Sequence, residues 1–149
     1  MSKDVTTRGD KDRRAYTQKM VDKLIEERAQ MLVLYYRAAG LDPETHEEPL
    51  EKPIQEFCQL LVDYIAAGHF TVYDRIINRE ERRQRVVEVA DEIYWDIAAT
   101  TTTALDFNDK YEDPEKVRDS SQLVKDLSSL GEQLALRIEL EDKLLKLLR

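Results

Sequence analysis

Residues Phe57 to Ile77 read FCQLLVDYIAAGHFTVYDRII, and their spacing settles the class of secondary structure. Ile54, Phe57, Leu61, Tyr64 and Ile65 recur every three or four residues, while Glu56, Gln59 and Asp63 fall on another face. That period belongs to an amphipathic helix and not to a strand, whose faces alternate every two residues. Gly68-His69 breaks the pattern, and Phe70, Tyr73 and Ile76 or Ile77 resume it in a second, short helix.

Working outward, residues 41–53 hold Pro43, Pro49 and Pro53 among five acids, which predicts a loop. The helix that follows starts near Pro53, where a missing N–H costs nothing. Upstream, Met20, Val21, Leu24, Ile25, Met31, Leu32, Tyr35 and Ala39 mark one long helix from Tyr16 to Ala39. Gly40 supplies its left-handed cap, and Pro43 prevents continuation. Residues 1–13 show no apolar period and read as a flexible tail ahead of a helical domain at 14–149.

Downstream, the charged run Asn78 to Arg85 leads into a third long helix with the stripe Val86, Ala90, Ile93, Ile97, Ala104 and Leu105. Thr100 to Thr103 places four β-branched residues inside it; the helix is expected to continue, because the period resumes. Asn108 to Pro114 form a loop, and a last helix runs from about Glu115 to the C-terminus. Its stripe is Leu123, Leu127, Leu130, Leu134, Ile138, Leu145 and Leu148, widened by Leu136, Leu140, Leu144 and Leu147. Gly131 within that stripe signals close helix contact or a kink. The expectation is an all-α fold: a single up-and-down bundle of four long helices plus a short inserted helix after the second.

Composition agrees. The 149 residues are 42% hydrophobic and 36% charged, with only 4 Gly and 4 Pro. No window approaches the ~20 apolar residues of a membrane span. Met1 to Arg14 lacks an apolar signal core, and a single cysteine, Cys58, cannot pair within the chain; a cytoplasmic location is expected. The net charge of -8 argues against direct binding to duplex DNA and suits a basic partner, although acidity also serves solubility.

Catalytic chemistry has little to stand on. His46 and His69 lack partners at the spacing of helical metal sites, Cys58 reads as a small buried hydrophobe, and no phosphate loop or nucleophile elbow occurs. No metal, cofactor or catalytic residue is assigned, and the chain is not expected to be an enzyme.

Charges that interrupt apolar stripes are more informative. Arg28 sits between Ile25 and Leu32, and Arg137 and Glu141 fall in line with Leu130, Leu134, Leu145 and Leu148. Such charges must be paired or must face a cleft. Two readings stand: an internal network of Arg28 and Arg137 with Glu141 or Glu139, or a polar cleft that receives a partner helix. Asp63, near a helix C-terminus, opposes the macrodipole, so it is either an ordinary exposed acid or one kept for a partner. His69 caps the helix, packs beneath Tyr73 or makes a specific contact. Phe70 and Tyr73, if exposed, form an interface anchor.

Three stretches carry a resemblance over residues 16–149: Met20 to Arg28 with Leu32 to Tyr36 and Gly40, the Phe57 to Ile77 block, and Leu130 to Leu144. Together they resemble the regulator-of-sigma-D/AlgQ family of bacterial anti-sigma factors. The resemblance implies a cytoplasmic helical protein that binds the primary sigma factor of RNA polymerase, chiefly its C-terminal domain, which reads the -35 element. It implies sequestration of that subunit in stationary phase by a monomer in a 1:1 complex. The residues assigned to that contact are Arg28, Asp63, His69, Phe70, Tyr73 and Glu141. A helical adaptor for another regulator is the alternative.

Overall fold

The computed structural model describes residues 2–40, 51–69, 83–119 and 121–148. They form five helices: α1 (Ser2–Ala38), α2 (Glu51–Ala67), α3 (Gln84–Tyr111), α4 (Pro114–Asp119) and α5 (Leu123–Leu148). The short helix expected from Phe70, with Phe70 and Tyr73 themselves, lies outside the described residues.

The core is built on a 3-4-3-4 repeat. In α3 every member of the row Val86, Ala90, Ile93, Ile97, Thr100, Ala104, Phe107, Tyr111 is buried. The same holds in α5 for Leu123, Leu127, Leu130, Leu134, Arg137, Glu141, Leu144 and Leu148. Thr17, Val21, Leu24, Arg28, Met31, Tyr35 and Ala38 make the equivalent row in α1, with Arg28 and Tyr35 half-buried. A seven-residue repeat keeps one seam facing its neighbours along antiparallel helices. Cross-contacts show that antiparallel order: Tyr35 meets Phe57 (5.6 Å) and Phe57 meets Phe107 (5.9 Å) toward one end, while Arg28, Tyr64 and Thr100 share a level further along.

This repeat corrects two expected core positions. Ile138 is half-buried and Leu105 is 40% exposed, because each lies one residue beyond the slot that its row fills with Arg137 or Ala104. Leu136, counted in the wider stripe, is 41% exposed because it lies one residue ahead of the slot that Arg137 fills.

Gly40 adopts φ 75°, the left-handed conformation that ends α1, and its N–H donates to Arg37 O at 3.1 Å. At the other end α1 begins at Ser2. Thr17 is the first residue described as buried, and helix in the preceding turns rests on its own backbone hydrogen bonds.

The last helix does not start at Glu115. Asp113 accepts the Glu115 N–H at 3.0 Å, and Pro114 opens α4, an N-cap followed by proline at the first helical position. Val117 and Leu123 are both buried. Six residues apart on one straight helix they would point about 120° apart, so the break at Ser121-Gln122 lets both face the core. Gln55 donates to Glu112 O at 3.3 Å and ties that corner to α2. Arg83, just ahead of α3, donates to Leu147 O at 3.1 Å, satisfying a carbonyl at the end of α5.

Gly131 is a contact glycine. A Cβ there would lie 2.8 Å from Tyr35 Cζ and closer still to its hydroxyl. Tyr35 crosses over this point to donate to Leu127 O at 3.0 Å.

Candidate functional site

Four helices contribute to one buried polar layer. Glu141 on α5 is fully buried and accepts from three sides. Arg137 Nε donates to Oε2 at 3.2 Å, Arg28 Nη1 from α1 stands 3.5 Å from Oε1, and the Tyr64 hydroxyl from α2 donates to Oε1. Arg28 Nη1 also reaches Asp142 Oδ1 at 2.9 Å. From α3, Thr101 Oγ1 and Thr100 Oγ1 accept from Arg137 Nη1 at 2.7 Å and 3.1 Å. The Arg137 guanidinium stands 5.4 Å from the Tyr64 ring centre.

The threonine run therefore has a local reason. Helical threonine can turn its hydroxyl back to the preceding turn, and here Thr100 and Thr101 both donate to Ile97 O, at 2.7 Å and 3.2 Å. With their protons committed there, both oxygens present lone pairs to the guanidinium.

Charge balance makes the layer tolerable. Two guanidiniums face two carboxylates, and a leucine in either slot of α5 would have contributed about 2 kcal/mol by burial. A buried ion pair rivals that only when geometry and hydrogen bonds are complete. Burial pulls the Arg28 guanidinium down, but its hydrogen bond to Asp142 and the charges of Asp142 and Glu141 hold it above its ordinary value. Burial raises the Tyr64 hydroxyl well above its usual range, helped by the charge of Glu141. Tyr64 thus stays a donor throughout the physiological range.

Of the two readings given to Arg28, Arg137 and Glu141, the internal network is the arrangement found. Its second acid is Asp142, however, and not Glu139, which is exposed. Asp63 lies exposed on the outer face of α2, one residue from Tyr64. Gly68 is buried and His69 exposed, in a widened π-helical turn that prolongs α2. The structure thus brings Arg28 and Glu141 together and leaves Asp63 and His69 on the surface.

Tyr64, Thr100, Thr101 and Asp142 are members that the sequence reading did not assign to this layer. Thr100 carried a signal, since it fills a core slot between Ile97 and Ala104. Asp142 carried none, because it lies off the buried row.

Beside the layer, His69, Ala90, Ile93, Tyr94, Ile97, Ala98, Thr101, Thr102 and Arg137 line a mostly apolar pocket of about 250 Å³. A second polar cluster clamps the far end of α3 to α5. There Lys110 Nζ and the Tyr111 hydroxyl both donate to Asp126 Oδ2, at 2.7 Å and 2.6 Å. The hydrogen bonds from Lys110 and Tyr111 hold Asp126 below the ordinary carboxylate value, and the bond to Asp126 raises Lys110. Among the described residues no group of three or more His, Cys, Asp or Glu is placed to hold a metal, and no helix is long and apolar enough to cross a membrane. Cys58 is buried, and burial pushes its thiol up to about 12.

Comparison with known proteins converges on one family. Proteins named Regulator of sigma D from Shigella boydii, Shigella dysenteriae and Escherichia coli are each 36% identical to this chain over 132 residues, covering 87% of it and 83% of their own length. No solved structure matches the chain. The profile described as regulator of RNA polymerase sigma(70) subunit, Rsd/AlgQ, matches residues 6–149. With nearly its whole length covered by that match, the chain belongs to the Rsd/AlgQ family.

Proposed function

We propose that this protein is an anti-sigma factor. It binds the primary sigma factor of RNA polymerase, mainly through that subunit's C-terminal, -35-reading domain, and withholds it from core polymerase and promoter DNA. The observation that carries the reading is the family match over 6–149, whose description names the sigma(70) subunit. The net charge of -8 supports it, since a basic DNA-reading domain is drawn to an acidic surface. Action is stoichiometric and cytoplasmic, one monomer per sigma subunit, and without catalysis.

Residues 14–149 form the binding unit in this reading. Asp63 supplies charge complementarity, and His69, Phe70 and Tyr73 supply the docking patch. Glu141 is too enclosed for a partner to reach its carboxylate, and with Arg28 it acts by holding α1 and α5 in place.

Size-exclusion co-elution with the isolated C-terminal domain of the housekeeping sigma factor, at low and moderate salt, tests the proposal. A 1:1 complex that loosens as salt rises is expected. Separate elution at micromolar concentrations, with promoter-dependent transcription undisturbed by excess protein, would end it.

A further inference from the structure

Trp95 is the one tryptophan of the chain and is 77% exposed on α3. Its ring packs edge-on against Tyr94, with centroids 5.1 Å apart, and Tyr94 is itself 37% exposed. Tyr94 also lines the 250 Å³ pocket together with Ala98 and Thr101. Tyr94, Ala98, Thr101 and Leu105 follow one another at steps of four, three and four residues, so they form one stripe along α3. Leu105, at its end, is 40% exposed. This stripe lies beside the buried row and is open to solvent at both Tyr94 and Leu105.

Along α3 the charges beside it have one sign, and Arg137, which also lines the pocket from α5, is already held by Glu141. Between Arg85 and Lys110, α3 carries Glu88, Asp91, Glu92, Asp96, Asp106 and Asp109, all exposed, and no basic residue. None of the six is ion-paired among the described residues. By helical geometry Asp91, Trp95 and Glu88 project from the same flank of the stripe, about 60° to 120° around from Tyr94. A large exposed aromatic beside an apolar pocket is the composition of an interface hot spot. A surrounding field of unpaired carboxylates selects a cationic partner and disfavours an acidic one.

We infer that the Tyr94–Ala98–Thr101–Leu105 stripe, flanked by Trp95, Glu88 and Asp91, is a docking groove for one basic amphipathic helix of the sigma subunit. The inference rests on the anti-sigma reading and names the element of the partner that is held. One apolar side chain of that helix enters the pocket between Tyr94 and Thr101, Trp95 covers its flank, and its lysines and arginines face the carboxylates. This is helix-in-groove recognition, anchored at one-turn spacing.

The full chain carrying 5-fluorotryptophan gives one fluorine resonance, from Trp95, whatever tryptophans the unlabelled partner contains. It is titrated with the C-terminal domain of the housekeeping sigma factor, and affinities of unlabelled variants are measured alongside. The expected result is a shift of that resonance on binding, with loss of its sensitivity to solvent. Trp95→Ala should weaken binding roughly tenfold or more, as for a central aromatic anchor. Glu88→Lys with Asp91→Lys should weaken it several-fold and flatten its salt dependence. Val124→Ala, a substitution of an equally exposed residue in a different pocket lined by Gly40 and Leu127, should leave it unchanged. Binding with an unmoved Trp95 resonance and an unaltered Trp95→Ala affinity overturns the groove and spares the anti-sigma reading. No binding by the unmodified protein overturns both.

Discussion

Tyr35 of α1 lies over Gly131 of α5, its hydroxyl 3.0 Å from Leu127 O and its ring where a side chain on residue 131 would begin. Two helices that otherwise touch sparingly are brought together at this point. Gly131→Ala gains about 1 kcal/mol of helix propensity and loses more to overpacking, about 1–3 kcal/mol. The net expectation is destabilisation, read by urea denaturation. Tyr35→Phe removes the nearest atom, so Gly131→Ala should cost less in that background. Equal cost in both backgrounds would show that the crowding does not involve the hydroxyl.

Glu141 receives two guanidiniums and a phenol in a space sealed from water. Glu141→Gln keeps the shape and leaves two facing cations without their common anion. A loss of about 3–5 kcal/mol is expected, the range for breaking a buried pair from one side. Thr101→Val, which deprives Arg137 of its shorter acceptor, should cost about 1–3 kcal/mol. Denaturant midpoints at constant slope check both.

The Lys110–Asp126–Tyr111 clamp sets a pH window. Asp126 is depressed in the folded state, so its contribution is complete above the ordinary value of 3.8 and is lost as pH falls through the lower folded value. Lys110 is raised, so its contribution is complete below 10.5 and is lost as pH climbs through the higher folded value. The stability gap between the unmodified protein and Asp126→Asn should be level near neutrality and shrink at both extremes. A gap that widens in acid contradicts the clamp.

Cys58, with its thiol at about 12, carries almost no thiolate at pH 8. Alkylation of the native protein should be slow and should accelerate in step with unfolding as denaturant is added. Fast labelling in buffer would mean that α2 opens locally.

Asp63→Lys tests the proposed charge contact. Far-UV circular dichroism should be unchanged, because the side chain is exposed, while affinity for the sigma domain falls by about 1–3 kcal/mol. Unchanged affinity removes Asp63 from the interface.

Helix class, the central spans of the long helices and the polar interruption of the core were legible in spacing, whereas the start of α1 at Ser2 and the break between α4 and α5 were not. Arg28, Arg137 and Glu141 stood out because each occupies a slot that its neighbours assign to the core. Ile138 and Leu105 misled because a step of four and a step of three suit an amphipathic helix equally well for one turn. Only the full alternation along α5 and α3 shows which is due. The role of Thr100 and Thr101 was hidden for a different reason: their hydroxyl oxygens face a guanidinium 37 and 36 residues away, respectively, on another helix. Trp95 was hidden in the same sense, since exposure depends on how the neighbouring helices pack and not on local pattern.

A bundle built from uniform leucine rungs can slide by a rung with little penalty. Here a seven-residue slip of α5 along α3 would set Arg137 against Ile93 or Phe107 in place of Thr100 and against Tyr94 or Asn108 in place of Thr101, so the adjacent pair of threonine hydroxyls that holds it would be lost. The guanidinium behaves like a key that turns at one notch, admitting a single alignment and thereby giving the outer surface one fixed shape to offer.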